Sequence, residues 1–161
     1  MSHIYKDFVK YRSSLLVFLT HTIALPMLKR FRKPIVFPYT SDILLEFPGG
    51  TVGKDLAEYL LIKELQLLPY YVKHDIKHIL LEYDTTDNGE VCLQCFMLGN
   101  NHLSFPVVAT VLYGLLTMPE YWKNFKSAFN RGRKCEPIES WRWLELLHIQ
   151  TAELKKYIPS T

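Results

Sequence analysis

His74-Asp75-Ile76-Lys77-His78, the turn-forming run Asp84-Thr85-Thr86-Asp87-Asn88-Gly89 and then Glu90 read as a helix, a chain reversal and a second helix. Two histidines four residues apart project from one face of a helix, so one ion can meet both imidazoles. Asp75 lies three residues before His78, near enough to join them. The reversal carries Glu90, in the first turn of the following helix, back towards His74 and His78. A mixed set of imidazole and carboxylate suits a divalent metal, zinc first and iron or manganese next, and leaves room for an open coordination position. The candidate metal ligands are therefore His74, Asp75, His78 and Glu90.

Working outward, the apolar residues from Leu56 onwards recur at helical spacing, and Pro69, Pro106 and Pro119 stand near expected helix starts. The pattern predicts helices over 53–67, 69–84, 89–99, 104–117, 119–130, 139–147 and 151–157. A short run from Ile43 to Phe47 is ambiguous between strand and helix. The expected fold is all-α: one compact multi-helix domain with an apolar, lipid-accommodating cavity. Residues 1–34 read as an N-terminal amphipathic or core-packing helix, and residues 35–161 as the helical metal-binding core domain. Within the first part, the apolar stretch from Leu15 to Met27 leads into Lys29-Arg30-Phe31-Arg32-Lys33, a composition that suits either core packing or a membrane surface.

A hydrophobic content of 48% against a charged fraction of 22% is high for a soluble chain and fits an apolar cavity or membrane contact. The net charge of +3, without an aromatic and basic sheet motif, argues against nucleic acid. Three cysteines, at 92, 95 and 135, with no secretory signal peptide, point to a reducing intracellular compartment, cytoplasmic or peripheral on the inner face of a membrane.

Cys92 and Cys95 lack the second pair needed for a zinc site and read as buried side chains. His3, His21, His102 and His148 have no ligand spacing. Arg131-Gly132-Arg133-Lys134 reads as a solvated charge run, and Trp122, Trp141 and Trp143 as core. Phe105, Val108, Val111, Leu112 and Leu115 form a helix-face stripe that suits a lipid cavity or ordinary core packing.

Two enzyme classes with similar motifs are disfavoured. Phosphohydrolases built on a His-Asp dyad need a distant downstream Asp, and no Asp follows Asp87. Zinc proteases place Glu directly after the first histidine, where this chain has the shorter Asp75.

The pattern His74-Asp75-x-x-His78, eleven residues, Glu90 resembles the signature of the coenzyme Q (ubiquinone) biosynthesis protein four family. Pro48-Gly49-Gly50-Thr51-Val52-Gly53 is similar to that family's Pro-Gly-Thr-Leu-Gly, Gly89-Glu90-Val91 to its Gly-Glu-hydrophobic, and Arg131-Gly132-Arg133 to its basic step before a closing Trp-containing helix. The resemblance runs from about Pro48 to Ile158. It departs at Gly99-Asn100-Asn101-His102, where the family has Gln-Thr-Gly-Leu-Pro, and the first forty residues match nothing.

The resemblance implies metal-dependent oxidative decarboxylation of a polyprenylated aromatic quinone precursor, with the divalent ion held by the four residues above. It also implies an alternative: a non-catalytic, lipid-binding scaffold that organises quinone-biosynthesis enzymes at a membrane. The expected partners are a polyprenyl lipid or quinone intermediate, a membrane surface, other quinone-biosynthesis enzymes and a second copy of the chain.

Overall fold

In the computed structural model, residues 10–12, 14, 15 and 36–160 are described. The chain divides into two units, Met1–Pro34 and Ile35–Thr161. In the first, residues 10–12 and 14–15 are helical, and the Ser14 hydroxyl donates to the Lys10 carbonyl at 2.9 Å. The rest of the helix expected over 5–33, with its basic cluster from Lys29 to Lys33, lies outside the described residues.

The second unit opens with α1 (Ser41–Leu45), whose N-cap Thr40 accepts from the Ile43 amide. The ambiguous run from Ile43 is thus helix followed by a tight turn: the Glu46 and Phe47 amides donate to the carbonyls of Ile43 and Leu44. Helix α2 (Val52–Ile62) starts at a Thr51 cap and stops five residues short of expectation. Glu64 adopts a φ of 54°, and the Leu65 amide turns back to the Leu60 carbonyl at 2.9 Å, closing the last turn. Helix α3 (Val72–Leu81) begins after a turn that contains Pro69 and ends where Glu82 takes left-handed geometry, φ 61°.

Next come α4 (Asp87–Gly99) and α5 (Phe105–Thr117), the latter with Pro106 in its first turn. A 3₁₀ turn at Pro119–Tyr121 leads into α6 (Trp122–Lys134). After an irregular stretch, a 3₁₀ turn at Glu145–His148 and α7 (Thr151–Lys155) close the unit. No β-strand occurs among the described residues; Thr51 and Gln150 make one isolated antiparallel bridge.

Helix α4 is the hub. Its Leu93, Phe96 and Met97 are fully buried with Ile76, Leu80 and Leu81 of α3 and Leu56 and Leu60 of α2, and Trp143 and Leu147 complete the cluster. Each such side chain contributes about 1.5–3 kcal/mol on burial, which is the main force holding these helices together. On its other sides α4 carries α5 and α6. The α4–α6 crossing is backbone on backbone: a Cβ at Gly132 would overlap the Phe96 carbonyl, and one at Gly99 would overlap that of Phe129.

The helix expected over 139–147 does not form. Just after α4, buried Asn100 lies with its Nδ2 2.9 Å from the Cys135 carbonyl, 3.1 Å from that of Glu136 and 3.2 Å from that of Gly132, and its Oδ1 accepts from the Ile138 amide at 2.9 Å. These bonds peg an irregular segment to the core, and Trp143 packs from it into the cluster. Trp122, expected in the core, is exposed at the start of α6, its indole N–H donating to the Leu115 carbonyl at 2.9 Å.

Candidate metal centre

Tight local chemistry builds the reversal between α3 and α4. The Thr86 hydroxyl accepts from the Gly89 amide at 3.1 Å and donates to Asp84 Oδ1, which also accepts from the Thr86 amide at 3.0 Å. Gly89 sits so close to the Asp84 carbonyl that a Cβ there would overlap it, so the turn admits no side chain. Helix α4 therefore starts at a fixed angle, with Glu90 in its first turn facing α3.

His74, His78 and Glu90 converge there. Their nearest ligand atoms all lie within 4.8 Å of one another. The two imidazole Nε2 atoms are 3.0 Å apart; Glu90 Oε1 is 3.1 Å from His78 Nε2, and Glu90 Oε2 is 3.3 Å from His74 Nε2. Atoms about 2.0–2.1 Å from one tetrahedral ion must lie about 3.3 Å apart, so the three fit zinc's coordination sphere with little movement. His78 is buried, and its Nδ1–H donates to the Tyr83 carbonyl at 2.8 Å. That bond fixes Nδ1 as the donor, so the neutral ring carries its lone pair on Nε2, the arrangement a metal-ligating imidazole needs, while the protonated ring bonds Glu90 there instead.

Burial works against the charge on Glu90, but hydrogen bonds and positive charge from His74 and His78 outweigh it and hold the carboxyl down to about 2. The amide groups at the start of α4 favour the same anion. Burial also opposes the charge on His78, yet its bond to Glu90 prevails and its pKa is raised.

Asp75, the fourth expected ligand, is not in the converging group. One position along α3 turns its side chain about 100° from that of His74. Its carboxyl is buried, which pushes its pKa up to about 6 against the pull of His74 and His78.

The remaining candidates settle into structural places. Cys92, Cys95 and Cys135 are buried free thiols; burial pushes Cys92 up to about 11 and Cys95 to about 12, so neither is a ready nucleophile. His102 pairs with Glu139 at 2.9 Å, and His148 stacks on Phe47 and bonds the Tyr39 hydroxyl at 3.1 Å. His3 and His21 lie outside the described residues. Arg131 is not solvated as expected. It is buried on the α4 side of α6, donating to the carbonyls of Leu81 and Pro159, both at 2.6 Å, with its guanidinium over the rings of Tyr83 and Phe96.

The backbone matches a solved protein of Nostoc punctiforme PCC 73102. That protein is described as a candidate ubiquinone biosynthesis protein; the match covers 98% of this chain and 81% of the other, at 21% identity and a TM-score of 0.58. At this identity the likeness is one of fold. No protein-family model matches the chain, and no curated protein does.

Two concavities open elsewhere. One of about 310 Å³, lined by Tyr83, Asp84, Asn88, Asn124 and Arg131 among others, is polar; one of about 530 Å³ is lined by Phe37, Tyr39, Leu65, Leu67 and Pro69 among others. His74, His78 and Glu90 line neither, and neither shows the expected apolar, lipid-accommodating cavity. Of the stripe read as cavity lining, only Val111 is buried: Phe105 is 77% exposed and Leu112 53%. No helix among the described residues is long and apolar enough to cross a membrane.

Proposed function

We propose that this protein is a metal-dependent protein of quinone biosynthesis that acts on a polyprenylated aromatic precursor by oxidative decarboxylation: the ring carboxyl leaves as carbon dioxide and a hydroxyl takes its place, with one dioxygen as the two-electron oxidant, one water consumed and hydrogen peroxide formed. The observation that carries the reading is the convergence of His74, His78 and Glu90 from two helices. Three protein ligands with half-exposed His74 at the edge leave one side of the group open to a ligand. The matching order of motifs in the sequence, and the fold shared with a candidate ubiquinone biosynthesis protein, support the pathway.

A divalent ion held by these residues, zinc in the first instance, would supply positive charge to an oxygen on which negative charge develops. The chain's own residues set the frame for it. Tyr83 fixes the tautomer of His78 through its carbonyl, the Asp84–Gly89 turn fixes the approach of Glu90, and the ring of Tyr59 lies parallel to that of His78 at 6.3 Å.

Elemental analysis of purified wild type and His78→Ala tests the reading, together with carbon dioxide release from a polyprenylated aromatic acid labelled in its ring carboxyl. Wild type is expected to carry one equivalent of divalent metal and release label, and His78→Ala to lose both. A His78→Ala protein with a full equivalent at wild-type affinity would refute the ligand assignment.

A second reading is a lipid-binding scaffold that organises quinone-biosynthesis enzymes at a membrane. The observation that favours it is the face of α5. Phe105, Leu112, Leu115, Leu116 and, at the start of α6, Trp122 all point outward, and α5 carries no charged residue. Exposed Lys123, Lys126, Arg133 and Lys134 on α6 add positive charge, which fits an anionic lipid surface.

A further inference from the structure

Two tyrosine rings flank the histidines of the candidate centre. Tyr59 of α2 lies parallel to His78, with centroids 6.3 Å apart and planes at 15°; Tyr71, the N-cap of α3, meets His74 edge-on at 6.3 Å and 65°. Both hydroxyl oxygens are sealed from solvent, and neither has a hydrogen-bond partner in the fold. A buried hydroxyl without a partner costs folding free energy, and phenylalanine would fill the same ring space without that cost. The fold thus gains nothing from these two oxygens.

Their surroundings show what they are suited to meet. The two rings border the pair of histidines from different elements, Tyr59 against His78 and Tyr71 against His74, and so lie beside the group that His74, His78 and Glu90 form. Glu90 already offers one oxygen to each imidazole. A phenol in this position has a proton to donate, and the group that the donor set lacks is an acceptor brought from outside.

We propose that Tyr59 and Tyr71 form an oxyanion subsite beside His74, His78 and Glu90, each donating a hydrogen bond to a carboxylate or phenolate oxygen of a bound ligand. This rests on the metal reading above, because the positive charge of the ion offsets the carboxylates that would otherwise repel an anion. Each hydroxyl acts on the ligand, and neither is needed to hold the ion.

The test uses the full chain loaded with cobalt(II), whose visible absorption reports its ligands, and benzoate as the probe. Wild type, Tyr59→Phe, Tyr71→Phe and the double variant are titrated, with Tyr157→Phe, an exposed tyrosine of the C-terminal segment, as control. The expected result is benzoate binding weakened on the order of tenfold by each single change and about a hundredfold by both, as hydrogen bonds to a charged acceptor predict. Cobalt affinity should hold within about a factor of two, and the metal-free Phe variants should melt no lower than wild type. Unchanged benzoate affinity in variants that bind cobalt, failure of cobalt-loaded wild type to bind benzoate, or a lower melting temperature of either Phe variant would overturn this inference alone. Failure of wild type to bind cobalt would overturn the metal reading and this inference with it.

Discussion

His78 and His74 face one another but live in different media: the first is 3% exposed with both ring nitrogens engaged, the second stands at the edge of the site. Loss of the buried imidazole removes a candidate ligand, takes its donor from the Tyr83 carbonyl and leaves Glu90 with His74 alone. Asp75 is a different case. It shares the charge environment of His74, His78 and Glu90 without joining their converging group, so its expected influence on a bound ion is electrostatic and runs through space. Asp75→Asn is therefore expected to keep a full equivalent of zinc, with affinity lowered by about tenfold or less, in a competition titration against a chromophoric chelator. A variant that lost its zinc as completely as His78→Ala would make Asp75 a fourth ligand. The sequence spacing could not separate these cases, because adjacent helix positions differ by a rotation that only the placement of α4 turns into contact or its absence.

At the scale of elements, helices α2 to α6 were legible because apolar residues recur at helical spacing there. Pro106 falls in a first turn as expected, and the Thr51 and Thr86 caps start α2 one residue and α4 two residues earlier than the spacing predicts. The convergence of His74, His78 and Glu90 was legible for a related reason: both halves of the pattern sit on strongly marked helices joined by a short, turn-rich link. What the sequence hid is non-local. The segment after α6 has helix-compatible composition, yet it is held open by Asn100, which lies 32 to 38 residues away along the chain from the groups it bonds. The stripe on α5 has the spacing of a buried face, but the side chains that would cover it are not supplied by α4, which already packs against the Gly114 side.

Asn100→Ala should expose the weight of that single peg. It takes the side-chain donor from the Cys135 and Glu136 carbonyls and the acceptor from the Ile138 amide in or near the core, while the Gly132 carbonyl keeps the Cys135 amide, and each buried polar group left unpaired costs about 1–3 kcal/mol. Some relaxation is expected, so chemical denaturation should show a loss of about 3 kcal/mol or more. Hydrogen exchange should speed up first at Ile138. A loss under about 1 kcal/mol would mean that the segment is held by its tryptophans and not by Asn100.

For the whole molecule, the distribution of charge and apolar surface decides between free solution and a lipid surface. Residues 103–134 hold five basic side chains, Lys123, Lys126, Arg131, Arg133 and Lys134, against one acid, Glu120, and only Arg131 of the five is buried. Each exposed cation near an anionic bilayer contributes on the order of 1 kcal/mol, and insertion of leucine and aromatic side chains from α5 adds to it, so reversible binding is expected. In co-sedimentation with vesicles of mixed neutral and anionic phospholipid, the full chain should bind, and more weakly as salt rises and screens the cations. Leu112→Glu/Leu116→Glu places two charges on the exposed face, one helical turn apart, and leaves residues 1–34 untouched. It should lower binding at least about tenfold without changing the metal content. If the double variant bound as wild type does, the surface contact would have to come from another part of the chain. If wild type ignored vesicles and instead formed a dimer that the same changes dissolved, the α5 face would belong to a second copy.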